Sequence, residues 1–278
     1  MTGIARCRPG LGTYVRIEIR DAMPPDRLFA CMEAAFEAIA EVEGAMSFHR
    51  PGSDLSRLNA APPDATLQVH RGLVEVLRFS GQLHEMTDGA FDPGVASRLV
   101  EWELLPRPSA AGAALATDAS IRDLECIDDT HVRVRRATCI DLGGVAKGYA
   151  VDRAIEALRA RGATQADVNA GGDLRVLGEP RPVHVRTVGP PSALRRLGDL
   201  GDGAVATSAF EELRARPAGS RARSTVVDAR TRSPVLDRRS FTVIASECMA
   251  ADALTKVLAI TGRLPAEAAR WQAQGLVS

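Results

Sequence analysis

Apolar and polar residues alternate along GTYVRIEI, residues 12–19, which predicts a strand with one buried face. Residues 24–47 repeat apolar residues at helical spacing, with Asp26 as the predicted N-cap. The predicted buried stripe of this helix consists of Leu28, Cys31, Met32, Ala35, Phe36, Ile39 and Val42. Residues 69–89 predict a second amphipathic helix that ends near Gly89.

The second half of the chain predicts short strands with a helix between them. Residues 131–144 predict a hairpin-like strand region, and residues 166–178 and 182–189 predict strands around glycine turns. Between these regions, residues 146–161 predict a helix that is stopped by Gly162.

The last predicted helix spans residues 246–262, with Ser246 as its N-cap and Gly262 at its end. Strand pairs with single helices inserted between them favour an α+β fold of antiparallel sheets over a wound parallel sheet. No fixed-period repeat, low-complexity tail or linker divides the sequence. We therefore expect a single domain over residues 1–278.

Composition and charge exclude several classes of partner. The chain has 278 residues, 45% of them apolar, and its 35 basic and 35 acidic residues cancel. A balanced charge provides no broad attraction to nucleic acid or to an anionic membrane. No apolar run approaches the roughly 20 residues that a membrane span needs, and the first residues show no apolar leader. We expect a cytoplasmic protein that is a monomer or a small oligomer.

Cysteine and lysine usage each carry information. The five cysteines have no metal-binding spacing, and an odd number favours reduced thiols over a disulfide framework. Only two of the 35 basic residues are lysines, Lys147 and Lys256. A position that stays lysine in an arginine-rich chain indicates a need for a compact, flexible ammonium, although two residues do not exclude chance.

The segment IDLGGVAKGYAVDRAIEAL, residues 140–158, has the strongest pattern for a binding site. A strand that ends in glycines and opens a helix directs unpaired N–H groups outward, where the helix dipole favours phosphate or pyrophosphate. The spacing matches neither GxGxxG nor GxxxxGK[ST]. The alternative interpretation is a tight strand-to-helix turn whose glycines serve packing alone.

Other segments carry weaker signals when each is taken alone. Gly171 and Gly172 permit a close backbone approach, and the TDG of residues 87–89 is an ordinary turn. Asp252 and Lys256 are i,i+4 neighbours, and a surface ion pair of that kind contributes about 0.3–0.5 kcal/mol. Cys248 is interpreted as a packed cysteine rather than a nucleophile, because no histidine is paired with it in the pattern.

Taken together and in order, these segments resemble the ApbE-type flavin transferases, the FAD:protein FMN transferases. The similarity runs from about residue 10 to residue 262. It rests on GTYVRIEI, MSFHRPGSDLSRLN, TDGAFDPGV, IDLGGVAKGYAVDRAI, VNAGGDLRVLG, VATSAFEEL, VVDARTRSPV and ADALTKVLAI. The resemblance implies a T-fold-like architecture in which antiparallel sheets are flanked by helices and the flavin lies between them.

The resemblance also implies an activity. Members of the family move FMN from FAD to a threonine or serine hydroxyl of a target protein, release AMP, and use Mg²⁺. FAD and an acceptor protein would be the partners, with no nucleic acid and no membrane. Two alternatives stay open, namely an FAD pyrophosphatase that yields free FMN and AMP, and a flavin-binding protein without turnover.

Site residues follow from the same resemblance, position by position. Eight residues are expected to contact FAD: Leu11, His49, Ala90, Phe91, Asp92, Asp141, Lys147 and Val226. The Mg²⁺ ligands would be the Gly144 carbonyl, the Asp252 carboxylate and the Thr255 hydroxyl. Asp252, Thr255 and Lys256 are expected to form the catalytic group.

The sequence departs from the family pattern at several of these positions. His49 stands where many relatives have tyrosine, and Thr225, Ala229 and Arg232 replace a histidine, a proline and a glycine. Relatives usually have a threonine four residues after the metal aspartate, where this chain has Lys256. We expect the lysine either to share the site with Asp252 or to displace the metal.

Overall fold

A computed structural model describes residues 3–108, 116–186, 194–209 and 223–278. A seven-stranded sheet forms the centre of these residues, and every neighbouring pair in it is antiparallel. The strands, in spatial order, are β1 (Ile4–Gly10), β2 (Thr13–Ile19), β6 (Ala166–Ala170), β7 (Asp173–Leu177), β10 (Ala204–Ala209), β13 (Ser240–Ala245) and β14 (Gln274–Val277).

Three smaller antiparallel sheets accompany the central one. The first contains β3 (Thr66–Gln68), β5 (His131–Val134) and β4 (Leu124–Cys126), in that order. The others are the pairs β8 (Arg181–Arg186) with β9 (Leu194–Leu200) and β11 (Val227–Asp228) with β12 (Ser233–Pro234). The predicted α+β fold of antiparallel sheets is confirmed.

Six α-helices flank the sheets in the described residues. They are α1 (Pro25–Met46), α2 (Asp54–Ala60), α3 (Arg71–Met86), α4 (Ala96–Glu101), α5 (Ala146–Ala160) and α6 (Cys248–Thr261). Helices α1, α5 and α6 pack side by side, and α5 and α6 cover one face of the central sheet. Fully buried side chains such as Ile17, Ile155 and Leu254 join the two layers. None of the helices in the described ranges has the length and apolarity needed to cross a membrane.

The alternation predicted for the first strand is confirmed. Val15, Ile17 and Ile19 of β2 face the core, whereas Tyr14 is 72% exposed. Each of the four predicted helices is present within a few residues of its predicted ends. The predicted strand 182–189 is observed to residue 186, and its remaining residues lie outside the described ranges, as do residues 210–213 of the VATSAFEEL segment.

Two predicted N-caps are wrong. Pro24 occupies the cap position of α1 and Pro25 its first turn, where a proline lacks only an N–H that has no helical partner. Asp26 therefore lies inside the first turn. In α6 the cap position belongs to Glu247, which makes no side-chain cap bond, and not to Ser246.

The predicted strand region 131–144 is too long, because β5 ends at Val134. Beyond it, the Asn59 side chain substitutes for a neighbouring strand. Its Oδ1 accepts the Ile140 N–H at 2.8 Å, and its Nδ2 donates to the Ile140 carbonyl at 2.9 Å. These bonds hold an irregular segment that leads directly into α5.

Candidate functional site

A cavity of about 400 Å³ lies where the start of α5, the middle of α6, the end of β10 and the loop before α4 meet. Apolar side chains that include Leu99, Leu104 and Leu105 form part of its lining. Eight of the predicted site residues line it as well: Ala90, Phe91, Asp92, Asp141, Gly144, Lys147, Val226 and Lys256. Segments that are far apart in the sequence thus converge as predicted.

The Asp92 carboxylate braces the wall of this cavity. It accepts hydrogen bonds from the Gly94 N–H at 2.7 Å, the Ile121 N–H at 2.8 Å and the Ser120 hydroxyl at 2.6 Å, and His84 Nδ1 lies 3.0 Å away. Burial raises the pKa of Asp92, but the hydrogen bonds outweigh burial and hold the pKa below its ordinary value. The carboxylate therefore faces the protein and fixes the loop that carries Phe91.

Asp141 is half-buried at the turn before α5. Its N–H donates to the Pro93 carbonyl at 3.0 Å, and its carboxylate accepts the Gly143 N–H at 3.2 Å. Burial raises the pKa of Asp141 above its ordinary value. His49 is exposed and does not line the cavity, but it is close enough to oppose that rise. Asp141 thus offers carboxylate oxygens to a cavity that is only partly open to solvent.

Two buried carboxylates hold the lysines of the cavity. Lys147 forms an ion pair with Oδ2 of Asp173, and Lys256 forms one with Oδ1 of Asp252. Asp173 is 2% exposed and Asp252 is fully buried. Burial lowers the pKa of Lys147, Asp252 raises it and Lys256 lowers it, and the net shift is downward. Asp252 and Lys256 thus form the i,i+4 ion pair, but its interpretation as a surface pair is wrong, because Asp252 lies in the core.

Asp252 has further partners. Its Oδ2 accepts the Gly148 N–H at 3.1 Å. Burial raises the pKa of Asp252, but Lys147, Lys256 and the Gly148 N–H outweigh burial and hold the pKa below its ordinary value. The start of α5, which was predicted to bind an anion, therefore already binds the Asp252 carboxylate of α6.

Thr255 is fully buried behind this pair. Its hydroxyl donates to the Asp252 main-chain carbonyl at 2.7 Å and shares a hydrogen bond of 2.7 Å with the Ser208 hydroxyl. Ser208 lines the cavity, whereas Thr255 does not. Sequence reasoning matched the VATSAFEEL segment without giving Ser208 a role.

The implied metal ligands do not fit a resident divalent cation in this arrangement. The two oxygens of Asp252 accept from an ammonium and an N–H, and the Thr255 hydroxyl bonds to both the Asp252 carbonyl and the Ser208 hydroxyl. The Lys256 side chain also lies beside Gly144, since a Cβ placed on Gly144 would lie 3.8 Å from Lys256 Cε. Mg²⁺ requires several free oxygen ligands around it. Across the described ranges, no cluster of three or more His, Cys, Asp or Glu side chains provides another metal site.

Asp152, at the end of the KGYAVD motif, fixes α6 in place. Its carboxylate accepts the N–H groups of Cys248 and Met249, each at 2.8 Å, and pairs with Arg175 at 2.6 Å. Burial raises the pKa of Asp152 to about 6, against the effect of Arg175 and the two N–H groups. Asp152 thus caps α6 from a neighbouring helix. Its position in the motif was the only sequence signal for this role.

Three predicted or divergent residues remain: Leu11, Thr225 and Arg232. Leu11 occupies the turn between β1 and β2 with φ of 54° and packs against the main core, away from the cavity lining. Thr225 is exposed and lines the cavity. Arg232 also has positive φ, 56°, and its guanidinium donates to the carbonyls of Gly94 at 2.7 Å and Ala119 at 2.6 Å. These bonds compensate for a backbone conformation that favours glycine.

The sequence as a whole matches one family model, that of the ApbE family, over residues 11–276. The chain belongs to the ApbE family. A relative from Vibrio cholerae, named FAD:protein FMN transferase, is 28% identical over 240 residues, which are 81% of this chain and 71% of the relative. A relative of the same name from Rhodobacter capsulatus is 30% identical over 229 residues, 76% of this chain and 43% of the relative.

The chain spans half the length of another relative of this name, from Treponema pallidum, with 28% identity over 180 residues, 60% of this chain. Solved structures agree on the fold. The flavin transferase ApbE from Vibrio cholerae superposes with a TM-score of 0.81 at 24% identity, covering 99% of this chain and 93% of that one. The ApbE protein from Thermotoga maritima superposes with a TM-score of 0.80 at 25% identity, covering 99% of this chain and 94% of that one.

Proposed function

We propose that the protein transfers the FMN part of FAD to a serine or threonine hydroxyl of an acceptor protein and releases AMP. The observation that carries this proposal is the composition of the cavity. Its lining combines apolar side chains with two ammonium groups, which is the combination that an apolar ring system joined to a diphosphate requires. Membership in the ApbE family and the shared name of the relatives, FAD:protein FMN transferase, support the same reaction.

The reaction is a phosphoryl transfer with a protein hydroxyl as nucleophile. The hydroxyl oxygen attacks the phosphorus on the riboflavin side of FAD, the bond to the bridging oxygen breaks, and AMP leaves with the electron pair. The hydroxyl proton passes to a base or to water. Catalysis of such a step consists mainly of positioning and of neutralising the negative charge that develops on the phosphate oxygens.

This chain's residues divide these tasks. Lys147 and Lys256 line the cavity, each paired with a buried carboxylate, and their remaining ammonium N–H groups would donate to the phosphate oxygens. Phe91 and Val226 provide apolar contact for the flavin ring, and the Asp141 carboxylate can accept a hydrogen bond from a ring N–H. We also propose that FAD contacts Ala90 and Asp92 at the cavity wall. Leu11 and His49 lie outside the lining of the cavity, and we propose that they contact the parts of FAD that extend beyond it.

The experiment that tests this function incubates the purified protein with FAD and follows AMP by chromatography. A parallel denaturing gel of an extract containing acceptor proteins shows whether flavin fluorescence stays with a protein band. AMP together with covalent flavin supports transfer. AMP with only free FMN identifies a pyrophosphatase, and bound FAD without AMP identifies a binding protein, so either result refutes the proposal.

Matched variants on α5 assign the effect to the cavity. Lys147→Met removes a cavity cation, and Arg153→Met removes a cation from an exposed pair with Glu156 on the same helix. Loss of one charge-assisted contact should weaken FAD binding about tenfold or more. The Lys147 variant is expected to show this loss in a flavin fluorescence titration, whereas the Arg153 variant should bind like the wild type.

A further inference from the structure

The only two lysines of the chain stand in the same cavity. Lys147 comes from the first turn of α5 and Lys256 from the middle of α6, and both line the cavity described above. All other basic residues of the 278 are arginines. In this chain, the compact ammonium group thus occurs only where it forms a close ion pair with a buried carboxylate.

The Lys256 ammonium is held at a fixed place by Asp252. Its Nζ forms the ion pair with Oδ1 and also donates to the main-chain carbonyl of Asp252 at 3.1 Å. An ammonium has three N–H donors. Among the described residues, no other acceptor takes a hydrogen bond from this Nζ, so one donor is left for a molecule in the cavity.

Asp252 requires a cation because it is fully buried. An ionised carboxylate without a partner in the core strongly destabilises the folded state. In this chain the partner comes from the next turn of the same helix, and the Lys256 side chain is 17% exposed toward the cavity. The carboxylate is thus neutralised by the chain itself.

We propose that the Lys256 ammonium takes the place of a divalent cation at Asp252. As a consequence, the flavin diphosphate binds without a metal ion, between the Lys256 and Lys147 ammonium groups. The claim that flavin binds without a metal ion rests on the proposed function. The claim that Lys256 replaces a divalent cation at Asp252 does not. A single ammonium cancels the charge of Asp252, so the pair is neutral. Mg²⁺ paired with the same carboxylate would give the pair a net charge of plus one. The site therefore binds an anion less strongly than a metal-loaded site does.

The first test uses the metal alone. Mn²⁺ is titrated into the flavin-free protein and followed by calorimetry or by its paramagnetic resonance signal. The wild type is expected to bind no stoichiometric Mn²⁺. Lys256→Thr and Lys256→Met, which both release the Asp252 carboxylate, are expected to bind one equivalent. Stoichiometric Mn²⁺ binding by the wild type would overturn the proposal whether or not flavin binds.

The second test measures FAD affinity in EDTA and in Mg²⁺ by flavin fluorescence. For the wild type the two affinities should agree within about twofold, whereas Lys256→Thr should bind about tenfold more weakly in EDTA and recover in Mg²⁺. A wild-type affinity that rises tenfold on addition of Mg²⁺ would refute metal-independent binding. If the wild type binds FAD in neither buffer, the proposed function fails, and the Mn²⁺ titration still decides the assignment of Lys256.

One further variant guards against loss of folding. If both neutral variants unfold because Asp252 loses its partner, Lys256→Arg keeps a positive charge on a longer, planar group. This variant is expected to fold, to bind no Mn²⁺ and to bind FAD more weakly than the wild type in EDTA. Unchanged FAD affinity in Lys256→Arg would show that the ammonium makes no specific contact with the flavin.

Discussion

The backbone N–H of Gly148 donates to Oδ2 of Asp252 at 3.1 Å, across the interface of α5 and α6. This contact depends on the absence of a side chain on Gly148. A Cβ there would lie 2.3 Å from the Cys248 carbonyl oxygen and 2.9 Å from Asp252 Cβ. The glycine of KGYAVD therefore serves the close approach of two helices, and that approach brings Lys147 and Lys256 into one cavity.

Gly148→Ala is expected to separate α5 from α6. Relief of the overlap requires backbone movement, and overpacking of this kind typically costs about 1–3 kcal/mol. Gly81→Ala is the matched control, because Gly81 lies inside α3 and a Cβ there meets no atom within 4 Å. Thermal melts should show a lower Tm for Gly148→Ala and an unchanged or higher Tm for Gly81→Ala. Equal effects of the two changes would contradict the role assigned to Gly148.

Asp92→Asn is expected to destabilise the protein at neutral pH and to have little effect in acid. The pKa of Asp92 is lowered in the folded state, so its carboxylate stabilises the fold above the ordinary value of 3.8. That stabilisation is lost as the pH falls through the folded pKa. We expect about 1–3 kcal/mol in the free energy of unfolding at pH 7. Urea unfolding from pH 7 to pH 2 measures it, and a difference that stays constant over this whole range would rule out the carboxylate as the cause.

Arg232 combines a positive φ with two hydrogen bonds, and two substitutions separate these contributions. Arg232→Ala loses the bonds to Gly94 and Ala119 and keeps the strain, whereas Arg232→Gly loses the bonds and relieves the strain. The alanine variant should therefore be less stable than the glycine variant by about 1 kcal/mol. Denaturant midpoints of the three proteins check the order, which would be reversed if the turn were unstrained.

Cys248 is expected to be unreactive in the folded protein. It is fully buried, and burial raises the pKa of its thiol well above the ordinary value. Cys7, by contrast, is exposed on β1. Iodoacetamide followed by mass spectrometry of peptides should show modification of Cys7 in native buffer and of Cys248 only after unfolding. Modification of Cys248 at the rate of Cys7 would revive it as a nucleophile.

The sequence predicted the parts of the fold that depend on local pattern. Alternation in β2 and helical spacing in α1, α3, α5 and α6 each report which face of an element is buried, and a short window contains that information. The prediction that Lys147 and Lys256 lie in one site came from the resemblance to the ApbE family and not from a local pattern. The N-caps at Asp26 and Ser246 were wrong because Pro24 and Glu247 occupy the cap positions, and in α6 the distant Asp152 carboxylate accepts the first N–H groups.

The residues that sequence reasoning missed act across long distances in the chain. Asp152 caps a helix that begins 96 positions later, and Asp173 pairs with a lysine 26 positions earlier. Ser208 reaches Thr255 over 47 positions. No local pattern marks such partners, because each is defined by the packing of elements that only the tertiary fold brings together.

The confinement of both lysines to the cavity has a consequence for chemical modification. Most proteins carry the majority of their lysines on the solvent-exposed surface. In these 278 residues the only ε-amino groups are those of Lys147 and Lys256. Acylation of either one removes a positive charge from the cavity lining. On the proposed function, a reagent that acylates lysine side chains is therefore expected to weaken FAD binding by this chain.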